Sequence, residues 1–217
     1  MREGTKIVFG NPVAFPIHLT EAALVSTSLP ENAVGVLRGM LGGDRLMALA
    51  TTLPFWAAQG DSTTIRRIER TADSVARVTP NPVNRGIVRY AAEAAPAYLA
   101  LVRHDTATAV RILESLPDSL CALCYIQRLT LAQLLAARQE DQQAAKLLDQ
   151  WLIDVTLPSG VFWTLERGRV AERMGNREKA AQSYQYVANV WRRADPELQP
   201  YVAEAREGLA RMTSEPR

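Results

Sequence analysis

The sequence predicts an all-α protein of stacked antiparallel helical hairpins, about ten helices in all. Three observations carry this. Most of the chain is rich in Ala, Leu, Arg, Gln and Glu, which enter helices at little cost. Turn and capping residues interrupt it at regular places. Three stretches repeat one another at offsets of 35 and 36 residues. The single β-like run, KIVF at 6 to 9, reads as an extended lead-in.

The breaks define the elements in order. SLPEN at 28 to 32 places Ser28 before Pro30 and Glu31, a helix start. GGD at 42 to 44 ends that helix and begins another, QGD at 59 to 61 is a turn, and TPNP at 79 to 82 is a strong breaker. LPDS at 116 to 119 ends one helix and caps the next with Asp118 or Ser119; LPSG at 157 to 160 repeats the device. MGN at 174 to 176 is a short turn between helices. ADPEL at 194 to 198 offers Asp195 as a cap and Pro196 at the first helical position. Pro54 and Pro96 fall inside candidate helices, where each should kink the helix or mark a boundary. The organisation expected is a lead-in and helix over 1–40, a hairpin array over 41–195, and a capping helix with a tail over 196–217.

Aligned by their turns, LVRHDTATAVRIL (101–113), AARQEDQQAAKLL (136–148) and AERMGNREKAAQSY (171–184) share a pattern. A small residue stands five positions after the turn: Ala109 after His104, Ala144 after Gln139, Ala180 after Gly175. Four further on stands a bulky one: Leu113, Leu148, Tyr184. Antiparallel helices need a small side chain where their axes come closest, and a large one a turn later to fill the gap to the next pair. One hairpin cannot bury its own apolar face, so stacking completes the core. WAAQGDSTTIRRIE at 56 to 69, with Gly60 at its turn, is a fainter fourth copy.

These residues resemble the tetratricopeptide repeat, a helical hairpin of about 34 residues that stacks into a superhelix. LERGRVAERMGNREKAAQSYQYV, 165 to 187, matches best: Gly168 and Ala180 at the small positions, Gly175 at the turn, Tyr184 at the aromatic position. Leu131, Ala132, Leu135, Ala144 and Leu148 match in the preceding unit. Arg128 and Thr164 depart from it, since the family prefers an aromatic early in the first helix; Trp163, one place early, substitutes for the second. The resemblance implies a non-catalytic scaffold that docks a protein or peptide partner, or another domain of a parent chain, in a concave groove lined by the first helix of each pair. On this alignment the groove receives Tyr98, Gln133, Arg169 and Arg173. The two arginines, four apart, share a face and could hold an acidic peptide or carboxylate; the competing reading gives them local partners such as Glu166 or Glu172. The C-terminal half also resembles the repeat tails of bacterial serine/threonine kinases and transcriptional regulators, which makes a sensory or regulatory tail the first alternative.

Chemical candidates are few. Cys121 and Cys124 form a C-x-x-C pair, the basis of a thiol-redox alternative. Tyr125 stands where haem attachment needs His, and a zinc site lacks further ligands, because His18 and His104 are distant in sequence. A helix precedes the pair where a thioredoxin-like site has a strand, so small packing residues are the competing reading. The expectation is a cytoplasmic chain with both thiols reduced, and with no metal or cofactor. No phosphate-loop, dinucleotide, zinc-protease or nucleophile-elbow motif occurs. Glu69 and Asp73 are four apart on a helix and read as surface charge. IRRIER at 65 to 70 reads as a solvated face, and with a net charge of +2 no nucleic-acid partner is expected. No membrane span is expected either, since no run approaches the roughly 18 apolar residues required. Asn11, Pro12 and Pro16 interrupt any signal-peptide core. The G-x-x-x-G at 35 to 39 suggests close helix packing, and Trp56, Trp151, Trp163 and Trp191 read as core.

Overall fold

The computed structural model describes residues 29, 31–42, 46–117, 125–150 and 158–214. Among them the chain is all-helical, with no strand, and consecutive helices pack on one another. The helices are α1 (Glu31–Met40), α2 (Leu46–Thr51), α3 (Leu53–Ala58), α4 (Ser62–Val78), α5 (Pro82–Val102), α6 (Thr106–Ser115), α7 (Tyr125–Ala137), α8 (Asp141–Leu148), α9 (Pro158–Arg173), α10 (Arg177–Val190) and α11 (Gln199–Thr213), the last preceded by a 3-10 turn over Pro196–Leu198. KIVF, Ser28, Asp118, Ser119, Cys121, Cys124 and Trp151 lie outside the described residues.

Four turns are built alike. Gly60, His104, Gln139 and Gly175 all take the left-handed backbone conformation, with φ of 67°, 60°, 62° and 74°. At each, the next residue's N–H reaches back to the carbonyl five positions earlier: Asp61 to Trp56, Asp105 to Ala100, Glu140 to Leu135, Asn176 to Ala171, all at 2.8–2.9 Å. The turn residue's own N–H reaches the carbonyl three back, as in Gln139 to Ala136. This pair of bonds consumes the orphan carbonyls of the preceding helix. The residue after the turn then begins the following helix. Asp61, Asp105 and Asn176 each accept the backbone N–H three residues on. Glu140, with a longer side chain, makes no such cap. The turns thus join α3 to α4, α5 to α6, α7 to α8 and α9 to α10 as hairpins.

The packing positions follow the turns. Ala109, Ala144 and Ala180 are fully buried, and Leu113, Leu148 and Tyr184 at most 5% exposed. In the first hairpin Ile65, not a small residue, takes the close-approach position and is also fully buried. Helix α5 is enclosed on most sides, touching α2, α3, α4 and α6. Its Ala91, Ala94, Ala95, Ala97 and Ala100 are fully buried, and their short side chains let those neighbours close in.

The buried apolar residues divide into two clusters. One runs from Leu37 on α1 to Leu148 on α8 and takes in Trp163 and Val170 of α9. The other joins Val161, Leu165 and Ala171 of α9 to Tyr184 and Val187 of α10 and to Val202 and Ala205 of α11. Helix α9 therefore belongs to both, and half-buried Phe162 packs against each. Trp163 ties α9 to α8 directly: its indole N–H donates to the Leu148 carbonyl at 2.9 Å.

Several sequence expectations need revision. Helix α5 runs through Pro96 without ending, whereas Pro54 does mark a boundary, standing in the first turn of α3. Among the described residues, a methyl group on Gly35 or Gly39 would meet nothing within 4 Å, so none of these helices packs closely against the G-x-x-x-G. Helix α8 ends at Leu148 and α9 spans Pro158–Arg173; residues 151–157, where a helix ending at LPSG is expected, lie outside the described residues. Pro196 opens the 3-10 turn and Asp195 caps nothing with its side chain, so α11 starts at Gln199.

Candidate functional site

The expected groove residues lie on α5, α7 and α9. Tyr98 does not line a groove. It is fully buried beneath the helices around α5, and its hydroxyl lies 3.1 Å from Thr130 Oγ1 on α7. Burial pushes its phenol well above the ordinary value, so it stays neutral and works as a cross-hairpin tie. Gln133, on α7, is exposed.

Arg169 and Arg173 stand one helical turn apart on α9, and both are engaged inside the chain. Arg169 grips Glu204 of α11 with two parallel bonds, Nε to Oε1 and Nη2 to Oε2, each 2.6 Å. Its Nη1 donates to Glu166 at 2.9 Å. Glu204 first, and then Glu166, hold the guanidinium firmly protonated against the cost of its burial. Arg173 forks onto Asp141 at the start of α8, with Nη2 at 2.7 Å and Nε at 3.0 Å from Oδ1. An acidic ligand at this face must displace intrachain carboxylates of the same chemistry.

Around these two the charges continue as a chain of ties. Glu172 of α9 accepts from Arg211 of α11 and from the Tyr184 hydroxyl of α10, both at 2.6 Å. Arg211 above all holds the Glu172 carboxyl below its ordinary range. Burial, followed by the Glu172 bond, raises the Tyr184 phenol. Asp149, at the end of α8, receives Lys179 of α10 at 2.7 Å and Arg167 of α9 at 3.0 Å. Burial alone would raise Asp149, but those two cations outweigh it and its pKa is lowered. Arg177 of α10 donates to the carbonyls of Arg211, Met212 and Ser214, filling acceptors left open at the end of α11.

A tyrosine clamp backs this charged face. A methyl group on Gly168 of α9 would sit 3.0 Å from the Tyr184 ring, and one on Gly208 of α11 only 2.5 Å from it. The ring is thus pressed between two glycines, and only a missing Cβ on each side admits it.

The sequence reading offered Glu166 as a local partner of Arg169, and the structure contains that pair. It missed Glu204, Asp141 and Arg211. A signal was available for Glu204, which lies 35 residues after Arg169, one repeat length on. Glu172 partners Arg211 and Tyr184, not Arg173. Asp73 pairs with Arg77 on the surface of α4, in keeping with the surface-charge reading. Arg66, Arg67 and Arg70 are exposed while Ile65 and Ile68 are fully buried, the arrangement expected of a solvated face. Trp56, Trp163 and Trp191 are buried. Among the described residues, no group of three or more His, Cys, Asp or Glu is placed to hold a metal ion, and no helix is long and apolar enough to cross a membrane.

The comparisons with known proteins supply no relative: the chain matches no protein-family model, no curated protein and no solved structure.

Proposed function

We propose that this chain is a non-catalytic scaffold of the tetratricopeptide kind, which docks a protein or peptide partner, or another domain of its parent chain, along its stacked hairpins. The observation that carries this reading is the fourfold recurrence of one turn. Gly60, His104, Gln139 and Gly175 share a backbone conformation and a hydrogen-bond pattern although two of them are not glycine. A left-handed residue with a Cβ costs about 1–2 kcal/mol. Two such residues at repeat spacing mean that the hairpin geometry, and the surface it generates, outweighs the local preference of the sequence.

Two of the expected groove residues are available to a partner in this reading. Tyr98 is internal, and Arg169 is committed to Glu204 and Glu166. Gln133 is exposed and Arg173 partly so, and these two remain the contact residues of this proposal. The test is a photo-crosslinking residue at Gln133, set against one at Ser74 on the exposed side of α4. One recurrent partner or parent-chain domain captured at Gln133, and weakened by Arg173→Glu, is the expected result. Equal capture at both positions, or none at Gln133, overturns the groove assignment.

A further inference from the structure

Two successive junctions of the stack compare position by position when counted from the turn residues. Between α8, α9 and α10, Asp149 stands ten residues after Gln139, Arg167 eight before Gly175 and Lys179 four after it. Arg167 and Lys179 reach Asp149 at 3.0 and 2.7 Å and tie the three helices together. Between α6, α7 and α8 the same places hold Glu114, Leu131 and Gln143, so the acid is kept and both cations are gone. A cleft of about 340 Å³ lies there. Leu113, Leu131 and Leu135 line it, at most 5% exposed, and give it an apolar floor. Glu114 lines it from α6 and Lys146 from α8, and both are exposed. Among the described residues neither of them forms a hydrogen bond or an ion pair. Arg128, the third charged residue of the lining, is already engaged, by Gln150 at 3.2 Å and by a further interaction. The charges left for a ligand are therefore one of each sign, carried by different helices.

We propose that this cleft binds a small zwitterion of the amino-acid class with an apolar side chain. Its ammonium sits at Glu114, its carboxylate at Lys146 and its side chain on the leucine floor. The volume lies at the small end of the range of about 300–1,000 Å³ found for ligand pockets, which suits a single amino acid. A lone carboxylate pairs with Lys146 but faces Glu114. A lone amine pairs with Glu114 but faces Lys146. Only a ligand with both charges satisfies each side chain without setting like charges together. Neither Gln133 nor Arg173 lines the cleft, and the assignment does not depend on the scaffold reading.

Titration of the 217-residue chain with L-leucine, followed by amide chemical shifts, tests the assignment. Two analogues of nearly the same shape serve as controls: isocaproate, which lacks the ammonium, and isoamylamine, which lacks the carboxylate. Leucine should bind saturably at one site with a Kd of about 5 mM or tighter. It should bind about threefold or more tighter than either analogue, as one exposed ion pair gained and one like-charge contact avoided require. Glu114→Gln should weaken leucine and tighten isocaproate. Lys146→Gln should weaken leucine and tighten isoamylamine. Both side chains are exposed, so both variants fold. Equal affinity for the three ligands overturns the proposal, as does leucine binding that either Glu114→Gln or Lys146→Gln leaves unchanged. Leucine binding weaker than about 5 mM, or none, also overturns it.

Discussion

From α1 to α8 helices meet mainly through alanine, leucine and isoleucine, with polar ties such as Tyr98 to Thr130 and Gln127 to the Ala50 carbonyl added between them. From α9 to α11 the apolar seam is smaller, and ion pairs with a clamped tyrosine close its edge. Ion pairs in the first region include short-range ones along a single helix, Asp73 with Arg77 and Glu93 with Arg89. In the second, Arg169 to Glu204 and Arg211 to Glu172 cross between helices, beside the Arg169–Glu166 pair within α9. The difference follows from size. A helix enclosed on most sides, like α5, is held by area removed from water, at about 25 cal/mol per Å². Helix α11 packs mainly on α10, with a smaller contact to α9. Charged forks and a fitted aromatic then supply orientation that apolar area alone does not.

The largest break in this comparison should come from Gly208→Ala. The added methyl meets one edge of the Tyr184 ring at 2.5 Å, and Gly168 lies near the opposite edge. Overpacking of this kind costs about 1–3 kcal/mol. Hydrogen exchange should show amides of α10 and α11 losing protection while those of α5 keep theirs. Uniform loss across both regions would mean that the two seams unfold as one.

A matched pair of variants sharpens the contrast. Arg169→Met strips Glu166, 5% exposed, of its guanidinium partner and frees Glu204, and should cost about 2 kcal/mol in denaturant titration. Arg77→Ala removes an exposed pair within one helix turn and should cost no more than about 0.5 kcal/mol. Equal costs would erase the distinction between crossing and local pairs.

The smallest effect is a matter of pH. The folded-state pKa of Glu172 is lowered from 4.5, with Arg211 the chief cause. Its contribution is therefore complete above 4.5 and lost as the pH falls from there through the folded value. Asp149 acts in the same direction between α8, α9 and α10. Asp61 and Asp105 are lowered too; each caps a helix and Asp61 also holds Arg38 of α1, so acid should fray the starts of α4 and α6 and loosen the α1 contact. Exchange measured between pH 5 and pH 3 should release α11 while amides within Ala91–Ala100 stay protected. Protection of α11 that is independent of pH in this window would exclude Glu172 as a tie.

The hairpin turns were legible in the sequence because their bonds are local. A turn residue, its cap and the small residue five positions on are separated by one helical turn or so, and each carries a compositional sign. Tyr98 was misplaced because first-helix positions near a groove and those beneath a neighbouring hairpin share one periodicity; what separates them is how many helices surround α5. Arg169 was recognised as capable of holding a carboxylate, and it does hold one, but Glu204 comes from the same chain. Glu204 lies 35 residues from Arg169 on a separate helix, so no local charge pattern marks it.

Helix α9 places its side chains in two hydrophobic clusters at once, and a pulling force would encounter this as a checkpoint. Tension applied at the C-terminus peels α11 and then α10 from one side of α9. Detachment of α9 itself must also draw Trp163 and Val170 out of the larger assembly. Stretched from that end, the chain should yield in two separate force steps, with α9 as the last helix to leave before the interior gives way.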